Sequence, residues 1–241
     1  MLGRRRARSV RLPGRQSAAR QDEARVSATD AGAYTEGGTG LVRLVVLASG
    51  EGSNLQAVLD ASRVPGFGAE VAAAFSDRED AFALERARRA GIPAVALPYK
   101  KGRPRADYDA ALADAVVAKR PDFVLLLGWM RVLSNAFLSR FPGRVVNLHP
   151  ALPGAFPGTR AIERALAAYR DGAIPTTGVM THYVPDEGVD SGPVIAVAEV
   201  PIRADDDLAS LSARVHDAEH RLVIDTVKNL IDKFRAETQR R

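Results

Sequence analysis

Leu41-Val42-Arg43-Leu44-Val45-Val46-Leu47-Ala48 runs directly into Ser49-Gly50-Glu51-Gly52-Ser53-Asn54, and residues 55–61 follow with helical spacing. The opening run is apolar and rich in β-branched side chains, the pattern of a strand buried on both faces of a parallel sheet. Between strand and helix, two glycines let the backbone close on a ligand. Ser53 and Asn54 add donors beside the free N–H groups of a first helical turn. Strand, glycine-rich turn and helix start together make a cradle for an anion. The spacing is neither GxGxxG nor a Walker loop with its lysine, so a single phosphate monoester fits better than a dinucleotide or a triphosphate. Taken alone, the stretch reads equally well as a glycine-rich turn with a serine capping the helix.

Working outward, strand and helix patterns alternate. Residues 70–75 read as a strand, 81–90 as an amphipathic helix ended by Gly91, and 94–97 as a third strand. A basic loop, 98–105, leads to a helix at 106–119 and a fully apolar central strand at 122–127. This alternation predicts a parallel α/β sheet with right-handed crossovers. Gly128-Trp129-Met130-Arg131-Val132-Leu133 leaves the central strand and holds the only tryptophan. Such a loop is either core packing or the wall for a flat aromatic ligand.

The next strand breaks into Val145-Val146-Asn147-Leu148-His149-Pro150-Ala151-Leu152-Pro153-Gly154-Ala155-Phe156-Pro157-Gly158. Asn147 and His149 are two apart, so on a strand both side chains leave from one face. An amide donor and an imidazole therefore point together at a strand exit, where open α/β sheets place their chemistry. A helix at 159–169 and strands at 178–184 and 193–200 follow. The loop between those strands carries Asp186, Glu187 and Asp190, and Asp190, just before the apolar strand, is the one expected to point inward. A carboxylate near His149 would favour the imidazolium and raise its pKa. The last helix, about 207–234, has an apolar face through Leu208, Leu211, Val215, Leu222 and Val223. His216 and His220 are spaced i, i+4, but with no third metal ligand in sight they read as an exposed or capping pair.

Composition narrows the classes. One domain of ordinary size suits the length, and no apolar run approaches the roughly 18 residues of a membrane span. The absence of cysteine excludes disulfides and thiolate chemistry and fits a reducing cytoplasm. The net charge of +5 lies mostly in residues 1–40, where eight arginines face four acids. That stretch reads as a disordered Arg-rich leader without the apolar centre of a secretory signal. The remainder is close to neutral, which speaks against nucleic acid as a partner.

Three landmarks now stand together: SGEGSN after the first strand, NLHPALPGAFPG after a later one, and DEGVDSGP before another. The combination resembles the phosphoribosylglycinamide formyltransferase family, the folate-dependent enzymes of purine synthesis. The Asn-x-His-Pro and Asp-x-Gly-Pro segments are shared by folate formyltransferases in general, and the SGxGSN loop picks out the glycinamide ribonucleotide branch. The resemblance implies a Rossmann-like formyltransferase fold, a mostly parallel central sheet flanked by helices. The catalytic domain would be 41–235, followed by a polar tail at 236–241. It implies transfer of the formyl group of 10-formyltetrahydrofolate, a co-substrate, to the amine of N1-(5-phospho-D-ribosyl)glycinamide. Both are small molecules. No metal, membrane or nucleic acid is needed, and the protein would work in the cytoplasm as a monomer or homodimer.

Residue by residue, the resemblance gives Gly52, Ser53 and Asn54 to the substrate phosphate and Glu219 to the ribonucleotide. Met130, Arg131, Val132 and Leu133 would line the folate site, with Arg105 near its glutamate tail and the 185–190 loop, including Asp186, over the pteridine. Asn147, His149 and Asp190 would be the catalytic trio. Asn147 and a protonated His149 would donate to the oxygen of the formyl group. The chain departs from the family pattern at Leu152-Pro153-Gly154, where many bacterial members have Leu-Leu-Pro, and at Arg160, where a histidine is common. The 185–190 loop is also one residue longer than in some members. Two other readings stand beside this one. A formyltetrahydrofolate deformylase would use water in place of the amine, and a non-catalytic phosphate-binding module would use SGEGSN alone.

Overall fold

The apolar runs assemble into one seven-stranded sheet covered by helices on both faces, in a computed structural model that describes residues 40–240. The expected leader lies, but for Gly40, outside the described residues. The strands are β1 (Val42–Leu47), β2 (Ala69–Ser76), β3 (Ala94–Ala96), β4 (Phe123–Leu126), β5 (Val145–His149), β6 (Thr176–Tyr183) and β7 (Val194–Pro201). Their order is β3-β2-β1-β4-β5-β6-β7. β1 to β5 are mutually parallel, whereas β6 and β7 run antiparallel to their neighbours. Residues 184–193 join β6 to β7 and are too few for the crossover of about a dozen residues that a parallel pair requires.

The helices are α1 (Ser53–Ser62), α2 (Phe82–Arg89), α3 (Arg105–Val117), α4 (Asn135–Leu138), α5 (Ala161–Arg170) and α6 (Leu208–Thr238). Because side chains alternate along a strand, β1 feeds two cores at once. Val42, Leu44 and Val46 pack with α1, α2, α5 and α6, whereas Val45 and Leu47 pack with α3 and α4. β4 divides the same way, Phe123 and Leu125 against Val124 and Leu126. This two-sided burial is why both strands read as unbroken apolar runs.

Most element ends fall within a residue or two of expectation, and three features differ more. α4 has only four residues and is too short to show a helical period. α6 continues beyond residue 234 to Thr238. Leu208, expected on its apolar face, is 42% exposed. The first turn of α6 is committed to a capping box between Asp207 and Ser210, and the buried stripe begins at Leu211. Among the described residues no helix is long and apolar enough to cross a membrane.

The sheet order reverses at β1, with β2 on one side and β4 on the other. The loops that follow β1 and β4 diverge there and open a crevice at the strands' carboxyl ends. Two hydrogen bonds fix the crevice floor. Ser49 N–H donates to Gly128 O at 3.0 Å, and Met130 N–H donates to Ser49 Oγ at 3.0 Å.

Candidate active site

The crevice is a cavity of 530 Å³ with two differently built ends. At one end Gly52 is the residue before α1, with φ 74°. A Cβ there would stand 2.7 Å from both Cα and Cβ of Ala83, so only glycine lets α2 come this close. The loop is held from α2: Ala83 N–H donates to Gly50 O at 3.0 Å, and Arg86 binds both the carbonyl and the carboxylate of Glu51. No side chain caps α1, which removes the serine-cap reading. The N–H groups of its first turn are left to solvent or to a ligand, and an anion suits them by charge.

α6 completes this end. Asn54 Nδ2 donates to Glu219 Oε2 at 3.2 Å, and His216 Nδ1 stands 2.7 Å from the same oxygen. The hydrogen bond to Glu219 holds the His216 pKa above its ordinary 6.5, against burial. His216 lines the cavity with its side chain half exposed. Asn54 Oδ1 is buried without a partner.

The chemistry gathers where β5 and β6 end. Register pairs Asn147 on β5 with His182 on β6. Asn147 Nδ2 donates to Asp190 Oδ1 at 2.9 Å and lies 3.1 Å from His182 Nε2. His182 Nδ1 faces Tyr183 O at 2.9 Å, so that nitrogen carries the hydrogen and Nε2 accepts from Asn147. Asp190 Oδ2 takes the Gly158 N–H at 2.7 Å and lies 3.3 Å from His149 Nδ1. Burial opposes charge on Asp190, but the Gly158 N–H and His149 beside it outweigh that and hold the carboxyl below its usual range. Asp190 also has φ 50°, a left-handed backbone unusual for a residue with a side chain.

His149 differs from expectation. A carboxylate beside it was expected to raise its pKa, yet the pKa lies below 6.5. The ring is only 4% exposed, and the cost of burying a cation exceeds the help from Asp190 and from the Phe156 carbonyl. Its Nε2 stands 3.1 Å from Phe156 O, an oxygen that also takes a hydrogen bond from Arg164 at 2.6 Å.

The other end of the cavity is apolar. Met130 and Val132 are exposed on its wall, Leu133 is buried, and Trp129 lines it from the core side. Arg131 binds the buried Asp77 at 2.7 Å and lies 4.1 Å above the Tyr99 ring. Asp186 lines the cavity and accepts the Gly188 N–H at 2.8 Å. The residues singled out in the sequence thus meet around one cavity, with one exception. Arg105 is not on its wall: the guanidinium is taken by Glu187, whose other oxygen accepts the Asn135 N–H at 3.0 Å.

Sequence reasoning passed over His182, and only the β5–β6 register brings it to Asn147. His216, expected as exposed or capping, faces the cavity, while Nε2 of its companion His220 is buried without a partner. The i, i+3 spacing from His216 to Glu219 was the available signal.

An anion cradle, an apolar wall and an Asn–His–Asp cluster thus share one cavity at the carboxyl ends of an α/β sheet, the place where such folds carry group-transfer chemistry. The model of the formyl transferase family matches residues 42–227, and the chain belongs to that family. Within it, the chain is similar to phosphoribosylglycinamide formyltransferase of Schizosaccharomyces pombe, 43% identical over 202 residues that cover 78% of this chain and 96% of the relative. It is also 43% identical over 180 residues to the trifunctional purine biosynthetic protein adenosine-3 of Drosophila melanogaster. That match covers 74% of this chain and 13% of the longer protein. Glycinamide ribonucleotide transformylase 1 of Symbiobacterium toebii has a solved structure that superposes with a TM-score of 0.76 at 38% identity. The match covers 81% of this chain and 90% of that one.

Proposed function

We propose that this protein transfers the formyl group of 10-formyltetrahydrofolate to the amine of N1-(5-phospho-D-ribosyl)glycinamide, a step of purine biosynthesis. The observation that carries the proposal is the distance-bonded cluster of Asn147, His149, His182 and Asp190 inside the cavity that also holds the uncapped start of α1. The phosphate takes the α1 end, with Gly52, Ser53 and Asn54 around it and Glu219 and His216 behind. The folate lies along Met130, Arg131, Val132 and Leu133 under Asp186, and Arg105 would meet its anionic tail only by exchanging Glu187 for it.

The amine nitrogen attacks the formyl carbon, the carbonyl π-electrons move to oxygen, and the C–N10 bond later breaks. Neutral in the free protein, His149 takes up at Nδ1 the proton the amine gives up, relayed by Asp190 Oδ2 beside it. As the carbonyl re-forms and the C–N10 electron pair moves to nitrogen, the ring delivers a proton to N10. Asp190 Oδ2, 3.3 Å from Nδ1, stabilises the ring while it is charged. In the neutral ring Nε2–H is held by Phe156 O, a bond exchanged for the formyl oxygen as charge develops there. Asn147 already gives one hydrogen to Asp190, and its other, now on His182, is the one available for that oxygen. No step calls for a metal ion. The cysteine-free chain suits the cytoplasm, with small molecules as its partners, as a monomer or homodimer.

The test is absorbance-monitored turnover of 10-formyltetrahydrofolate with and without the ribonucleotide. Turnover is expected only with both present. Equal turnover without the ribonucleotide would make the protein a hydrolase, and none under either condition would leave a phosphate-binding module.

A further inference from the structure

Three arginines wall the cavity, and two already hold acids. Arg78 is paired with Asp80 at 2.9 Å and Arg131 with Asp77 at 2.7 Å. Arg160 is the third: its side chain has no hydrogen bond or ion pair to any described residue. The cavity's four acids are engaged elsewhere, Glu51 by Arg86, Asp186 by the Gly188 N–H, Glu219 by Asn54 and His216, and Asp190 by Asn147 and Gly158.

The backbone at Arg160 is also unusual. It precedes α5 with φ 56° and ψ 37°, a left-handed conformation that glycine adopts freely and other residues resist. Its side chain makes no capping bond that would offset this. Strain held at an unpaired cation on the wall of a reactive cavity points to a task for that cation.

The layer that carries Arg160 says which end of the cavity it serves. α5 packs through Ile162, Ala165 and Leu166 into the same apolar cluster as α1 and α6. α3 and α4 lie in the other cluster, with Trp129 and Leu133. Arg160 therefore enters from the face that bears the uncapped start of α1.

We propose that Arg160 is a substrate-binding residue that clamps the phosphate monoester of the ribonucleotide against the start of α1. The assignment deepens the transferase reading and rests on it for the identity of the phosphate's owner. A guanidinium presents two parallel N–H donors to phosphate oxygens, and one without an acid partner has no ion pair to break first.

Arg160→Gly removes the guanidinium and relieves the backbone, so the Tm should match or exceed that of wild type. The KM for the ribonucleotide should rise about 10- to 100-fold, as for a lost charge-assisted hydrogen bond. The KM for the folate should not move. Inorganic phosphate should raise the Tm of wild type clearly and that of Arg160→Gly much less, with Arg160→Lys between them. An equal phosphate response in Arg160→Gly, no response in wild type, or a change confined to the folate KM would each overturn the assignment. The thermal readout needs no turnover. Failed formyl transfer with the phosphate difference intact would count against the reaction and leave the Arg160 anion site standing.

Discussion

Replacing Asp190 with asparagine changes almost no volume and removes one charge, yet the geometry predicts a cost in both stability and rate. Both carboxylate oxygens accept hydrogen bonds, Oδ1 from Asn147 Nδ2 at 2.9 Å and Oδ2 from Gly158 N at 2.7 Å. An asparagine must turn its NH2 toward one of those donors. Leaving one buried donor unmet costs about 1–3 kcal/mol, which a urea or thermal melt would register. The chemical step should suffer more. A placed proton-transfer group is typically worth about 10²- to 10⁴-fold, and loss of the counter-charge 3.3 Å from His149 Nδ1 should reduce kcat by an amount in that range.

The pH dependence gives the sharper check. Asp190 is one of the influences that raise the His149 pKa, while burial lowers it. Removing the carboxylate leaves burial less opposed, so the imidazole of Asp190→Asn should titrate lower than in wild type by NMR. If neutral His149 is the acting form, the acidic limb of kcat against pH should move down with it. Stability follows its own sign. The Asp190 carboxyl is depressed below 3.8, so its contribution is complete above that value and is lost as acid carries the pH through the folded pKa. The variant should lack that loss. A folded Asp190→Asn protein with wild-type kcat, or with an unmoved His149 titration, would refute the reasoning.

Gly52→Ala would place a methyl group 2.7 Å from Ala83 in a left-handed backbone. We expect at least about 1–2 kcal/mol of destabilisation by thermal melt and weaker phosphate protection. His216 carries its charge to higher pH than an ordinary histidine because Glu219 holds it. The ribonucleotide KM should be lowest below that pKa and rise as pH passes through it, and His216→Ala should flatten the rise in steady-state assays. The same shift contributes stability below pH 6.5 that fades as pH climbs through the folded value. Trp129 is the only tryptophan and lines the cavity, so folate binding should change its emission, and Trp129→Phe should abolish that signal in a fluorescence titration.

What the sequence revealed and what it hid divide along physical lines. β1 and β4 were legible because burial on two faces leaves an unbroken apolar run, and the crossover helices because their periods are long enough to see. Asn147, His149 and Asp190 could be picked out because each sits where a strand ends at a proline- or glycine-rich break. His182 was hidden because it owes its place to strand register, which no local pattern encodes. The charge of His149 was hidden for a related reason. A nearby carboxylate can be guessed from sequence, but the depth of burial that outweighs it exists only in the folded chain. The pairing of Arg105 with Glu187, next to Asp186 in the same loop, was hidden in the same way, because it joins residues far apart in the chain.

The central claim is that a formyl carbon passes from folate to an amine and not to water. The measurement that tests it most directly is turnover with 10-formyltetrahydrofolate labelled at the formyl carbon, followed by NMR in the presence of the ribonucleotide. The label is expected in the new amide of the ribonucleotide, one for each tetrahydrofolate released. Label recovered as free formate would contradict it.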